Sequence, residues 1–145
     1  MTEHNSFFNS PMELGTRTAL ILSALDGEKI DIESMVMLDY ALLYSEEFGG
    51  PENLHPSVPN HIAEIAQRLE LMPNALRFLI KRGLVNIDIE SNGYFYSSNA
   101  DTIHFISCLK SNYYKKAWIR LAWIKENYSN ISQNALMYLS EKLKQ

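Results

Sequence analysis

The side chains best suited to chemistry in this chain are its single cysteine and its four histidines. His104 and Cys108 lie four residues apart, a spacing that places two side chains on one face of a helix. Such a pair could form a nucleophile and its general base. A packed cysteine beside a hydrogen-bonded histidine fits the same spacing without any reactivity, and we favour that interpretation.

The remaining histidines do not suggest a metal site. His4, His55 and His61 show neither the HxxxH nor the HExxH spacing that brings two imidazoles to one ion. The stretch "EFGGPEN" lacks the spacing and the following Lys-Ser/Thr of a phosphate-binding loop. We therefore predict a protein that is not an enzyme, needs no metal or other cofactor and takes no small-molecule substrate.

Length and composition favour one soluble domain. The chain has 145 residues, 46% of them hydrophobic, which is enough for a substantial core. No apolar run approaches the roughly 18 residues of a membrane-spanning helix, and the first residues lack the features of a signal peptide. Because a lone cysteine cannot form an internal disulfide, we expect a cytoplasmic protein that does not associate with membranes.

Charge is distributed unevenly along the chain. Residues 1–70 hold twelve acidic and three basic side chains, whereas 71–145 hold five acidic and ten basic ones, for a net charge of −4. Two surfaces of opposite charge would suit two different partners or one large contact. Alternatively, the two halves neutralise each other within the fold, and the sequence leaves both interpretations open.

The pattern of apolar residues and turn signals predicts a flexible N-terminus at residues 1–9, followed by a single winged-helix-like domain at 10–145. Four segments make up this domain: N-terminal helices at 10–46, a Gly/Pro loop at 47–59, a helix-turn-helix with its wing at 60–98, and C-terminal helices at 99–145. Ser10 and Asp31 are suited to cap the first two helices, and the Ser-Asn pair at 129–130 is suited to cap the last.

The winged-helix assignment rests on three local features. Asn60 can cap a first helix, and Pro73 can begin a second that ends at Gly83. Alternating apolar and polar residues flank Asn92-Gly93, a pair that supports a hairpin turn. The expected fold is mostly α-helical with a small β-hairpin, a winged helix-turn-helix core with additional N- and C-terminal helices.

The second of these helices presents a candidate partner interface. If its apolar side faces the core, the outward residues are Asn74, Arg77, Phe78 and Lys81. Arg77 and Lys81 could contact phosphates or a guanine edge, but the wing that follows has two acidic residues and no cation. We favour contact with a protein, whose apolar pocket Phe78 would fill. Burial of Phe78 in the chain's own core stays open.

A basic and aromatic cluster in the C-terminal helices is the best candidate for contact with nucleic acid. Lys115, Lys116 and Arg120 alternate with tyrosines and tryptophans in "SNYYKKAWIRLAWIKENY". Cations and rings together suit phosphate and base-stacking contacts. The alternative, which we favour, is an ordinary helix with Trp118 towards the core and Lys116 and Arg120 on a solvated stripe.

Three stretches together resemble a bacterial family, the type 2 middle components of ABC-three-component systems, which belong to the Lamassu group of defence loci. They are "SPMELGTRTALIL", "DIESMVMLDYALLYSEEFGGPENLHPSVP" and "LIKRGLVNIDIESNGYFYSS". The loop "GGPENLHP" is the most specific of the matching pieces. The positions kept in the match are Asp39, Tyr40, Gly49, Gly50, Pro51, Leu54, His55 and Pro56. The loop positions among them are candidates for partner contacts or for shaping the loop.

The resemblance implies a small, non-catalytic subunit encoded between an effector and a dimeric ABC ATPase of the SMC/Rad50-like type. Such a subunit would connect the two partners and hold the effector, often a nuclease, in check until foreign DNA is sensed. DNA would be contacted mainly through the assembled complex. The family supplies no catalytic motif, so no active-site residue is transferred to this chain.

A second function remains open on the residues alone. A winged-helix transcriptional repressor would dimerise on a specific operator, with Arg77 and Lys81 reading bases. Tight and sequence-dependent binding of duplex DNA by the isolated chain would distinguish this repressor from the assembly subunit.

Overall fold

The computed structural model describes residues 10–144, with side chains for 10–134 and for Met137. The predicted flexible N-terminus at residues 1–9 lies outside the described residues. The architecture is mostly helical with one small antiparallel hairpin, which confirms the expected fold class. No helix in this part of the chain combines the length and hydrophobicity of a membrane span.

Two helices begin the described chain, α1 at Pro11–Ala24 and α2 at Ile32–Leu43. The Ser10 hydroxyl accepts a hydrogen bond from the backbone N–H of Glu13, and the Asp31 carboxylate caps α2 in the same way, so both predicted caps are confirmed. Every side chain of α2 from Met35 onwards is buried, which makes it the central helix of the fold.

The segment predicted as helix, turn and helix is one continuous helix. α3 spans His61–Lys81 and contains Pro73, so the predicted break before Pro73 is wrong. A proline inside a helix costs about 3 kcal/mol. Burial of an apolar side chain stabilises by about 1.5–3 kcal/mol, and Met72 and Leu76, on either side of Pro73, are at most 1% exposed. Packing against the neighbouring helices therefore outweighs the local break signal.

The predicted hairpin is confirmed. Strands β1 at Asn86–Glu90 and β2 at Gly93–Ser97 pair antiparallel, with Ile89 opposite Tyr94. β2 also forms an isolated bridge to Ile30, between α1 and α2. Three helices followed by a hairpin that is bridged in this way are compatible with a winged helix, although the expected turn inside α3 is absent.

Two helices complete the described fold, α4 at Ala100–Ser107 and α5 at Asn112–Lys144. The break predicted at 129–130 is wrong, because α5 runs through it as one helix of 33 residues. Its inward stripe packs mainly on α2 and consists of Ala117, Leu121, Ile124 and Ile131. Trp118 is 40% exposed and lies beside this stripe, so the expectation that it faces the core is also wrong.

Candidate functional site

A buried carboxylate between two arginines lies at the centre of the helices. Asp39 on α2 accepts hydrogen bonds from Arg17 on α1, at 2.8 Å from Nε and 3.0 Å from Nη2. It also accepts one from Nε of Arg68 on α3, at 2.9 Å. All three residues are at most 1% exposed. One carboxylate thus joins three helices through charge-assisted bonds.

The ionisation of Asp39 depends on the positive charges of Arg17 and Arg68. Burial alone would raise the pKa of Asp39, but the attraction of Arg17 and Arg68 and their hydrogen bonds hold it below its usual value. Asp39 therefore stays ionised at neutral pH. Glu64 supplies the second negative charge, since its carboxylate and its backbone carbonyl oxygen both accept from Nη1 of Arg68 at 3.1 Å.

Tyrosines extend the network towards the surface. The guanidinium of Arg68 lies over the ring of Tyr40, with 5.6 Å between Cζ and the ring centroid. The Tyr40 hydroxyl donates to the Glu47 carboxylate and lies 2.6 Å from Nδ1 of His61. His61 also lies 3.0 Å from the Glu47 carboxylate. This group joins α2, α3 and the 3₁₀ turn Ser45–Phe48 between them.

The loop that follows this turn is attached to α5 by its predicted interface residues. Nε2 of His55 and the Tyr113 hydroxyl are 2.9 Å apart. Burial, together with repulsion of the charged imidazolium by Arg17, lowers the pKa of His55 to about 4. Burial raises the pKa of Tyr113 to about 12. Both side chains are therefore neutral at pH 7, as a partly enclosed contact requires.

Gly50 lies directly against Trp123 of α5. A Cβ atom at this position would lie 2.5 Å from the ring of Trp123, so only glycine fits without displacing the indole. Leu54 packs against the core and Pro51 accepts a hydrogen bond from Ser45 through its carbonyl oxygen. Gly49 is more open, with a φ of +75° and no other atom within 4 Å of the position that a Cβ would take. These contacts show how the loop is shaped, whereas its contact with a partner stays a prediction.

Arg120 does not belong to a solvated basic stripe. It is 8% exposed, and Nε and Nη2 both donate to the carbonyl oxygen of Glu52, at 2.9 and 2.6 Å. The prediction of a free cation here is wrong, because Arg120 fastens the loop to α5. Lys115 and Lys116 are exposed, so two of the three cations predicted to contact nucleic acid remain at the surface.

The predicted partner-facing residues of α3 do lie together. Asn74, Arg77 and Lys81 are exposed, and Asn74 accepts a hydrogen bond from Nη1 of Arg77 at 2.8 Å. Phe78 is half-buried beneath the guanidinium of Arg82, whose Cζ lies 3.6 Å from the ring centroid. Phe78 therefore contributes to this chain's own packing while it presents part of its ring to solvent.

The cysteine of the possible cysteine–histidine pair contacts the backbone of the histidine. Sγ of Cys108 lies 3.6 Å from the backbone carbonyl oxygen of His104, to which the thiol donates a weak hydrogen bond. Cys108 is exposed, so the expectation of a packed cysteine is wrong. No group of three or more metal-binding side chains occurs among the residues that the structure describes.

A family model matches the chain over residues 7–145, almost its whole length. The chain belongs to the ABC-three component system Middle Component 2 family. Searches of curated proteins and of solved structures gave no match.

Sequence reasoning missed the two arginines at the centre of this Middle Component 2 protein. The available signal was a single charge inside an apolar stretch, as Arg17 is in "TRTALIL" and Asp39 is in "MLDYALL". Arg68, in "AQRLEL", had no such signal, because a cation on an amphipathic helix is ordinarily solvated. Its burial depends on Asp39, 29 residues earlier in the chain.

Substitution of the central carboxylate tests its contribution to stability. Asp39→Asn keeps the shape but removes the counter-charge of the buried Arg17 and leaves the buried Arg68 paired with Glu64 alone. We expect a loss of about 3–5 kcal/mol in the free energy of unfolding, measured with urea. The control is Lys29→Ala, which removes exposed ion pairs to Asp88 and Glu90. If both variants lost the same free energy of unfolding, the buried network would not contribute more to stability than exposed ion pairs do.

The low pKa of His55 predicts a stability change in mild acid. The unfolded chain binds a proton on this imidazole below about pH 6.5 and the folded chain only below about pH 4. The contribution of His55 is therefore complete above pH 6.5 and is lost as the pH falls towards 4. Glutamine can still bond to Tyr113 but does not titrate. We therefore expect His55→Gln to reduce the pH dependence of the free energy of unfolding between pH 4 and pH 6.5. An unchanged slope would show that His55 titrates normally.

The contact of Gly50 with Trp123 predicts a specific coupling. Gly50→Ala should destabilise by about 1–3 kcal/mol through overpacking, and Trp123→Leu should relieve part of that loss in the double variant. Gly49→Ala is the control, because its cost arises from a positive φ and not from a neighbouring side chain. Each glycine variant is combined with Trp123→Leu in a double-mutant cycle, measured by urea unfolding. The cycle with Gly50→Ala should show coupling, and the cycle with Gly49→Ala should show none. Additivity at Gly50 would contradict the close contact.

Proposed function

We propose that this protein is a non-catalytic assembly and regulatory subunit of a Lamassu-type bacterial defence complex. It links a dimeric SMC-like ABC ATPase to an effector, a nuclease, and restrains the effector until foreign DNA is sensed. The observation that carries this proposal is the match to a middle-component family across residues 7–145. ATP hydrolysis and DNA cleavage then belong to the partner subunits.

The use of polar groups inside the fold supports a scaffold role. Arg17 and Arg68 both bond to Asp39 at the centre of the helices. His55 bonds to Tyr113 at the loop–helix contact. A linker must hold two surfaces in a fixed relation, and charges that join three helices provide that rigidity.

The charges on the surface support a protein partner for α3. The wing offers no cation, and its acidic residues Asp88 and Glu90 are paired with Lys29 at 3.1 Å. Duplex DNA would gain little from that strand, because affinity for the phosphate backbone comes largely from cations. Contact of Lys115 and Lys116 with DNA is proposed only for the assembled complex.

The alternative is a winged-helix transcriptional repressor. Its supporting observation is the exposure of Arg77 and Lys81, one turn apart, on the helix that precedes the hairpin. A gel-shift series against the DNA upstream of the gene tests it. A tight shift that depends on sequence and disappears in Arg77→Ala would replace the assembly-subunit proposal with the repressor.

Co-expression with the products of the neighbouring genes tests the proposed function directly. We expect the tagged chain to co-purify with the ATPase and the effector, and the effector's nuclease activity to be lower in the complex than alone. The double charge reversal Arg77→Glu with Lys81→Glu should reduce recovery of a partner, whereas Lys125→Glu on α5 should not. Purification of the wild-type chain without either partner would contradict the proposal.

A further inference from the structure

A groove of about 350 Å³ opens between the start of α1, the end of α3 and the segment from α4 to α5. Its volume lies at the lower end of the range of about 300–1,000 Å³ for ligand pockets. It therefore suits a few side chains of a short segment. Its lining includes Met12 and Glu13 of α1, Phe78 and Arg82 at the end of α3, and Leu109 and Tyr114 from the α4–α5 segment.

The groove has a mostly apolar lining, in which Arg82 covers the ring of Phe78. Met12 is 66% exposed although it belongs to the lining, and the rings of Phe78 and Tyr114 are half-buried. Nη1 of Arg82 donates to the carbonyl oxygen of Phe78 at 3.4 Å, and its guanidinium covers the ring of that residue. The apolar surface of this groove remains in contact with water. Such a surface in a concave site is typical of a place where an apolar group of a partner binds.

Positive charge predominates around this lining. Arg82 is itself a lining residue, and Lys81 precedes it on α3. Lys110 and Lys115 directly follow the lining residues Leu109 and Tyr114, and both are exposed. Two acids oppose these four cations: Glu13 in the lining and Asp101, one turn before Phe105 on α4. The surroundings of the groove are therefore net positive.

We propose that this groove binds a short segment of another protein, one in which an apolar anchor residue is flanked by acidic residues. The inference rests on the proposed function, since it gives the linking subunit one of its contact sites. Burial of one Leu or Phe anchor supplies about 1.5–3 kcal/mol. Acidic flanks add attraction to the cations and select the register of the bound segment.

A peptide fits this groove better than a nucleic acid does. Binding of a strand needs a track of cations along the phosphates together with ring faces for the bases. Here Glu13 lies within the lining, and Leu79, Leu84 and Leu109 offer no donors to phosphate.

The test uses short overlapping synthetic peptides that tile the proteins encoded beside this chain, with binding measured by fluorescence anisotropy on the full-length protein. We expect the binding peptides to contain an apolar residue flanked by Asp or Glu. Replacement of those acids by Lys should weaken binding by about tenfold or more, equivalent to about 1.4 kcal/mol. Added salt should also weaken it, because exposed charges are screened.

Variants of the protein locate the site. Met12→Glu should lower affinity at least about tenfold without unfolding, since this side chain is mostly exposed. Arg82→Glu should reverse the preference towards the Lys-substituted peptides. Lys125→Glu is the matched control: it changes an exposed cation ten residues after Lys115 on α5, about 15 Å farther along the helix. Circular dichroism checks the fold of each variant.

Several outcomes would overturn the inference. These are the absence of any binding peptide, binding without a preference for acidic flanks, unchanged affinity in both Met12→Glu and Arg82→Glu, and displacement of the peptide by short duplex DNA. The proposed function is judged separately. If the wild-type complex forms and Met12→Glu leaves it intact, the groove is not the contact site and the subunit role stands. If the wild-type complex does not form, the subunit role fails.

Discussion

The ionised carboxylate of Asp39, held between Arg17 and Arg68, is the interaction on which the rest of this structure depends. A buried charge is tolerated only where its partners and hydrogen bonds replace the water that it has lost. Because each partner comes from a different helix, α1, α2 and α3 must keep their positions relative to one another for the charges to remain compensated. A buried ion pair is not in itself a large net gain in stability. Its effect here is to make other packings of the same apolar helices costly.

The outer parts of the molecule are attached to this centre. The Gly/Pro loop reaches α5 through the contact of Gly50 with Trp123 and the bonds of Arg120 to the Glu52 carbonyl oxygen. α5 packs in turn on α2, the helix that carries Asp39. The cation-rich end of α3 and the groove beside it therefore belong to one set of packed helices. Such a set of helices suits the proposed linking subunit, whose partners have to be held in a defined relation.

Local sequence signals predicted much of the fold and less of the candidate site. The caps at Ser10 and Asp31, the hairpin and the mostly helical class follow from contacts within a few residues, and the structure confirms them. The cap predicted at 129–130 is wrong, because the long helix continues through it. The continuity of α3 through Pro73 could not be predicted in this way, because burial against other helices outweighs the local signal. The same holds for Arg68 and Arg120, which look like solvated cations until their partners, Asp39 and the Glu52 carbonyl oxygen, are known. On α3, helical periodicity correctly predicts that Asn74, Arg77 and Lys81 are exposed, whereas Phe78, predicted to face outward with them, is half-buried.

Native-state hydrogen exchange is the measurement that tests the central claim most directly. If the charges around Asp39 bind α1, α2 and α3 into one cooperative unit, the core amides of these helices exchange only through global unfolding, with one common free energy of opening. That free energy then falls by the same amount in all three helices when Asp39 is replaced. Exchange of α3 through its own lower-energy opening, unaffected by the replacement, would contradict the account.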